Sequence, residues 1–465
     1  MNLYVGILLG YSLALMGIGL WVGRRVGTSA DFFVAGRRLG PGLIFSTMLA
    51  ANIGAGSTVG ATSRGYLGGI AAWWWVGSAA IGSVVLALWI GPAMRRIAAA
   101  QNLRTVGDYL EFRYSATVRG VISSLLWIGS LFILASQLIA LGWILNVVAG
   151  VPKEVGCLVG GLVITVYFAA GGLLTSAWVN VVQLAVKLVG FAIALPLAIA
   201  GSGGWSGLVA VRAGDTAYWN FWRPDTPGLM YLALLVPAFV VSPGLLQKIF
   251  GARDDRAVRL GVGLNAFGLF LYAGVPAVLG IIARGRFPDL AAPDLALPMV
   301  LMHVLPPVVG AIGLAAVFSA EVSAADAALF MLTTSLSQDL YKRFVRPAAN
   351  DAQVLSVARW TTVASGALSV ALALVSASVI DTLTIFYTLL GVTLFVPIVA
   401  GLYAPRTSSA GALASIAAGV AGMLIVQLAT GGRGWIFLTP ALAGLAASVG
   451  AWAISSVARG GGDAT

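Results

Sequence analysis

The residues of this chain with the most chemical potential lie in one apolar stretch, Leu314–Tyr341, which carries Glu321, Ser323, Asp326, Thr333 and Thr334. A carboxylate in mid-bilayer costs about 2.5–3.5 kcal/mol even on lenient insertion scales, so it faces a cavity, a partner or an ion. Ala320, Ser323, Ala324 and Ala327 follow i, i+3, i+4, i+7 spacing and share one helix face. That face suits a small cation held by carbonyl and hydroxyl oxygens. It equally suits close packing of small residues on a second helix. A second polar stripe runs Asn180, Gln183, Lys187, at i, i+3, i+7. Bond-making chemistry has no comparable constellation: His303 stands alone among apolar residues, and Cys157 has no second cysteine to pair with.

The elements that hold these residues are membrane helices. The chain is 59% hydrophobic and only 9% charged, with a mean hydropathy of +0.96, which is a polytopic membrane composition. Hydropathy gives about thirteen spans, the first over residues 3–23 and retained, since no basic leader region precedes it. The block 296–338 is too long for one span and calls for a separate amphipathic piece near Pro298–Pro307. The net charge of +11 does not mark a nucleic-acid surface, because the arginines are dispersed in short loops. Roughly 19 basic loop residues fall on one side against roughly 6 on the other, which predicts an outside N-terminus and a cytoplasmic C-terminus.

Two spans carry helix breakers in their middle. Ala50–Thr58 contains Asn52, Gly54 and Gly56, and the seventh span contains Pro237 and Ser242-Pro243-Gly244. Breaks free backbone carbonyls and amides that must find other partners. They lie five spans apart, which predicts an all-α fold with an inverted five-plus-five repeat and two broken helices, and a site at the membrane midplane. The chain then divides into 1–40, a first repeat over 41–201, a second over 229–404, and two further spans with a tail over 405–465.

The motifs support a relationship. Ser323-Ala324-Ala325-Asp326-Ala327 followed by Asp339-Leu340-Tyr341 resembles a signature segment of the sodium/solute symporters, whose fold is of the leucine-transporter type. Ala50–Gly69 is similar to that family's first broken helix. Gly171-Gly172 followed by Trp178, Asn180 and Gln183, and Pro243 with Gln247 and the basic loop Lys248–Arg259, resemble two further segments. The resemblance implies a cation-coupled carrier of a small polar solute such as an amino acid, working in a lipid bilayer and not an enzyme. It implies sodium ligands at the carbonyls of Ala50, Ile53 and Ala320 and the hydroxyl of Ser323. It implies solute contacts from Gly54, Gly56, Ser57, Trp75, Ser78, Gln137, Phe239 and Ser242. At least two of Trp73, Trp74 and Trp75 read better as interfacial anchors. The rival class is a solute sensor or channel.

Two departures bear on coupling. Where the family usually has a second ligating hydroxyl this chain has Ala324, and where it often has an aspartate it has Asn180. Lys187 lies seven residues beyond Asn180, about 10 Å along a helix, which brings its ammonium to the level of the sodium position. Coupling candidates are therefore Lys187, Glu321, Asn180 and Asp326. Either sodium is the coupling ion with a reduced ligand set, or a Lys187–Glu321 pair replaces it and transport is proton-coupled or ion-independent. The alternative role for Lys187 is plain pairing with backbone carbonyls, with Glu321 reaching an aqueous vestibule.

Overall fold

The computed structural model describes residues 3–23, 37–168, 172–223, 230–404, 407–432, 434–435 and 438–460. Gly171 of the motif named above, the basic residues Arg24, Arg25, Arg406 and Arg433 that enter the loop count, and the tail 461–465 lie outside these. Every named element among the described residues is helical. Among the described residues, ten helical stretches are long and apolar enough to cross a membrane. The thirteen expected from hydropathy are not reproduced by this count. Pro41–Asn52 is only 12 residues long and Lys153–Phe168 only 16, and Gly56–Ala100 continues through an expected boundary.

Both expected breaks are present. The Pro41–Asn52 helix ends where Ile53 leaves helical geometry at φ −88°, ψ 88°, and the chain resumes as a π turn over Gly56–Gly60 and a helix over Ala61–Gly68. The Met230–Val241 helix stops at Ser242, ψ 120°, and Pro243–Phe250 follows. Proline at the first position of the resumed helix has no amide to leave unpaired. The Ser242 carbonyl closes the new turn by accepting from the amides of Leu245 and Leu246, at 3.1 and 2.9 Å. The segment near Pro298–Pro307 is a separate short helix, Ala296–His303, ahead of Pro307–Thr334.

Pro307–Thr334 is the most enclosed span, and Gly172–Gly201 packs along it. Their approach is close: a Cβ on Gly190 would lie 2.4 Å from the Ala316 Cβ. At one end of this core the helix turns into a π segment, Ser335–Val345, where an ion-pair cluster clamps it. Arg119 bridges Asp108 at 2.8 Å, Glu111 at 3.0 Å and Asp339 at 2.8 Å, and Arg343 reaches Glu111 at 2.6 Å. Asp339 of the Asp-Leu-Tyr motif is thus a structural anchor, with Thr105 Oγ1 donating to it at 2.5 Å.

Candidate functional site

The first break leaves polar backbone groups in an apolar setting, and each has a partner that can be named. The Gly54 amide donates to Ser57 Oγ at 3.1 Å, and the Ala55 amide to Gln137 Oε1 at 2.8 Å. The Gly54 carbonyl accepts from the amides of Ser57 and Thr58, both at 3.0 Å. Gln137 therefore caps the resumed helix from the neighbouring Ala116–Ala149 helix. Two freed carbonyls, Ala50 and Ile53, face the other way. Both accept from Lys187 Nζ, at 2.5 and 3.1 Å. The same ammonium donates to Ser323 Oγ at 2.5 Å. Ser323 Oγ in turn lies 2.8 Å from the Ala50 carbonyl and 3.1 Å from that of Ala320. The negative end of the Pro41–Asn52 helix dipole adds a favourable field for a cation there.

The oxygens that the resemblance assigns to sodium thus stand together: Ala50, Ile53, Ala320 and Ser323. Three of the four already receive Lys187 hydrogen bonds. An ammonium has three hydrogens and no more, so the set is complete around nitrogen. Lys187 is fully buried. A sodium ion does not fit among these oxygens while the ammonium holds them.

The expected Lys187–Glu321 pairing takes another form. Glu321 Oε1 accepts from Thr58 Oγ1 at 2.7 Å, on the resumed half of the broken helix, and among the described residues no direct ion pair joins Glu321 to Lys187. Asn180 donates from Nδ2 to Thr47 Oγ1 at 3.0 Å, and Asp326 is buried on the Pro307–Thr334 helix. Sequence reasoning passed over Lys248, which is also buried and donates to the Thr47 carbonyl at 2.9 Å. Its place in a basic loop motif hid it.

On the opposite side of Gly54 is a cavity of about 30 Å³, room for one or two waters. Gly54, Gly56, Ser57, Trp75, Gln137 and Phe239 border it; Ser78 and Ser242 do not. Ser78 lies about 60° round the helix from Trp75, away from the side that Val76 and Ala79 present to the cavity. Ser242 is taken up in turning the second break. Trp74 and Trp73 sit apart from the cavity, packed against Phe221 at 5.1 and 5.4 Å between ring centroids. The cavity gains aromatic walls that the first broken helix itself lacks. The Tyr387 ring is 6.1 Å from that of Trp75 and 5.6 Å from that of Phe239. Asn52, also at the cavity, donates to Asn265 Oδ1 at 3.1 Å, and Asn265 to Ser83 Oγ at 3.2 Å. Neither Tyr387 nor Asn265 carries a local sequence signal; only the fold brings them in.

Among the described residues, ten membrane-length helices and a cavity bordered by two interrupted helices define a multi-span membrane protein. The sequence pattern described as "Sodium:solute symporter family" matches residues 32–419, and the chain belongs to that family. Among curated relatives, it is 27% identical to the sodium/pantothenate symporter of Escherichia coli (strain K12), over 91% of this chain and 90% of that one. It is 26% identical to the human sodium/iodide cotransporter, over 89% and 67%, and 25% identical to the human high affinity choline transporter 1, over 94% and 78%. The fold matches a substrate-bound, outward-open Na⁺-coupled sialic acid symporter with a TM-score of 0.80, 18% identity and 97% coverage of both chains. The architecture is therefore of the leucine-transporter type.

Proposed function

We propose that this chain moves a small polar solute, neutral or zwitterionic, across the membrane by alternating access, with the solute held in the cavity beside Gly54 and Gly56. The single observation that carries this reading is the lining. It draws on the first break through Gly54, Gly56 and Ser57 and on the second broken helix through Phe239. Its polar groups, Asn52, Ser57, Gln137 and Tyr387, carry no formal charge at neutral pH. A solute with a net negative charge meets no counter-ion here. The ammonium of a zwitterion can lie on the faces of Trp75, Phe239 and Tyr387. A cavity of about 30 Å³ is too small for an amino acid, so it must widen to load one.

The relatives' names span iodide, pantothenate and choline, so the family alone does not select the solute. An amino acid remains our favoured class, and the aromatic walls make quaternary ammonium solutes the first alternative to screen. The five-plus-five inverted repeat and an outside N-terminus belong to the same proposal, the latter from the basic loops. The test is counterflow into proteoliposomes with a panel of both solute classes. Gly56→Leu should abolish it while the protein still inserts and purifies as wild type, because the new side chain fills the cavity. Counterflow at the wild-type rate in that variant places the solute path elsewhere. Flux without solute on the opposite side, at rates beyond carrier turnover, replaces the carrier reading with a channel.

A further inference from the structure

The oxygens that a sodium ion would need in this fold have an occupant supplied by the chain. Lys187 Nζ has three donors and three acceptors, the carbonyls of Ala50 and Ile53 and the hydroxyl of Ser323. Each ammonium hydrogen has an acceptor. Ser323 accepts from the ammonium and still has its own hydrogen for the Ala50 or Ala320 carbonyl. The carbonyls at the C-terminal end of Pro41–Asn52, the hydroxyl from Pro307–Thr334 and the lysine from Gly172–Gly201 bring three elements to one cation.

The lysine is held in place. Gly190, three residues on, meets Ala316 so closely that a Cβ would lie 2.4 Å from the Ala316 Cβ. For the buried side chain to reach solvent it would have to give up all three of its hydrogen bonds. The changes around it run the same way. Ala324 offers no oxygen, and Asn180, where the resembling proteins often carry a carboxylate, uses its amide to donate to Thr47. Every substitution removes a ligand or supplies the charge.

We infer that Lys187 is a tethered cation in the sodium position, and that this carrier does not bind sodium there. The ammonium ties the broken helix to the Pro307–Thr334 helix as a bound ion would, but it cannot leave on either side of the membrane. A sodium gradient therefore does no work through this position. The inference rests on the carrier reading only for that last consequence; the binding claim is tested without any solute.

The experiment is thermal unfolding of the purified protein, with sodium exchanged for potassium at constant ionic strength. Wild-type midpoints should superimpose across the titration. The triple variant Lys187→Ala, Ala324→Ser, Asn180→Asp should acquire a saturable rise in sodium that potassium does not produce. Lys187→Met, which keeps the bulk without the charge, serves with the other two changes if the alanine variant fails to fold. A saturable sodium-specific rise in wild type overturns the inference. So does a folded triple variant that stays indifferent to sodium, since the lysine would then not be what excludes the ion. If the wild-type titrations are flat but counterflow fails with every solute, the carrier reading is lost and the tethered cation stands.

Discussion

Replacing Gly54 with alanine tests how tightly the first break is held against the acidic helix. The new Cβ would lie 2.3 Å from the Ala324 Cβ and 2.9 Å from Gln137 Oε1. Carbon atoms pack at about 3.5–4.0 Å, so the first contact is short by more than 1 Å. Ala324 has no rotamer that could relieve it, and Gln137 Oε1 is fixed by the Ala55 amide. Relief has to come from the backbone of the break, which carries the Ile53 carbonyl one residue away. Overpacking of this kind costs about 1–3 kcal/mol. Gly56→Ala is the internal control. Its nearest neighbour, at 2.6 Å, is Leu383 Cδ1, the far end of a flexible side chain, with Trp75 Nε1 next at 3.3 Å. A rotamer adjustment there costs about 0.5–1.5 kcal/mol.

Unfolding midpoints of purified protein should thus fall clearly for Gly54→Ala and less for Gly56→Ala. Adding Ala324→Gly to Gly54→Ala deletes the obstructing methyl and should recover most of the loss. That recovery is a coupling energy of the order of 0.5–3 kcal/mol between side chains in contact. Equal effects at the two glycines, or a double variant no more stable than Gly54→Ala, would refute the packing argument.

Three other outcomes are expected. Arg119→Ala should destabilise by about 3–5 kcal/mol, as removing one partner of a buried pair does, and Asp339→Asn should restore part of it; denaturation of the two single variants and the double decides. Glu111 is held below the ordinary carboxylate range, first by hydrogen bonds from Arg343 and further by Arg119, with burial opposing. Its stabilisation is therefore complete above the ordinary value and fades as pH falls through the lowered one, so Glu111→Gln should flatten the acid limb of a midpoint-against-pH curve. Lys153→Cys in a Cys157→Ser background should react with an impermeant maleimide added outside intact cells if the proposed outside N-terminus holds; labelling only after lysis would invert the topology.

The breaks were legible because glycine, proline and asparagine are conspicuous in an apolar run, and backbone freed in a membrane must be repartnered. Lys187 was legible by arithmetic: seven residues past Asn180 set its height along the helix, although the direction of its side chain was not. Glu321 was legible as a buried acid but not as the partner of Thr58, because a helix face found from spacing says nothing about which neighbour turns toward it. Gln137 was named as a wall of the cavity, yet its role as the cap of the Ala55 amide depends on the end geometry of another helix. Tyr387 and Asn265 come from spans with ordinary apolar patterns, and only tertiary packing sets them beside the first break. Ser78 came from the resemblance, which marks the helix but not which of its residues turn toward the cavity.

On the tethered-cation proposal, Ala324, Asn180 and Lys187 share one electrostatic explanation. A metal ion sharing the Ala50 carbonyl and the Ser323 hydroxyl with the ammonium would lie within roughly 4 Å of it. Two like charges at that distance repel by about 4 kcal/mol at an effective dielectric of about 20, which is roughly a thousandfold in a dissociation constant. Against that penalty an added hydroxyl at Ala324 or a carboxylate at Asn180 would have no ion to hold. An aspartate at 180 would also lose the amide hydrogen that Asn180 gives Thr47 Oγ1, and would place a buried carboxylate where its partner cation is already committed to three oxygens. Once the lysine is present, alanine and asparagine are the neighbours it favours. Restoring either oxygen without removing Lys187 should leave sodium binding unchanged, and restoring both in its absence should recover it.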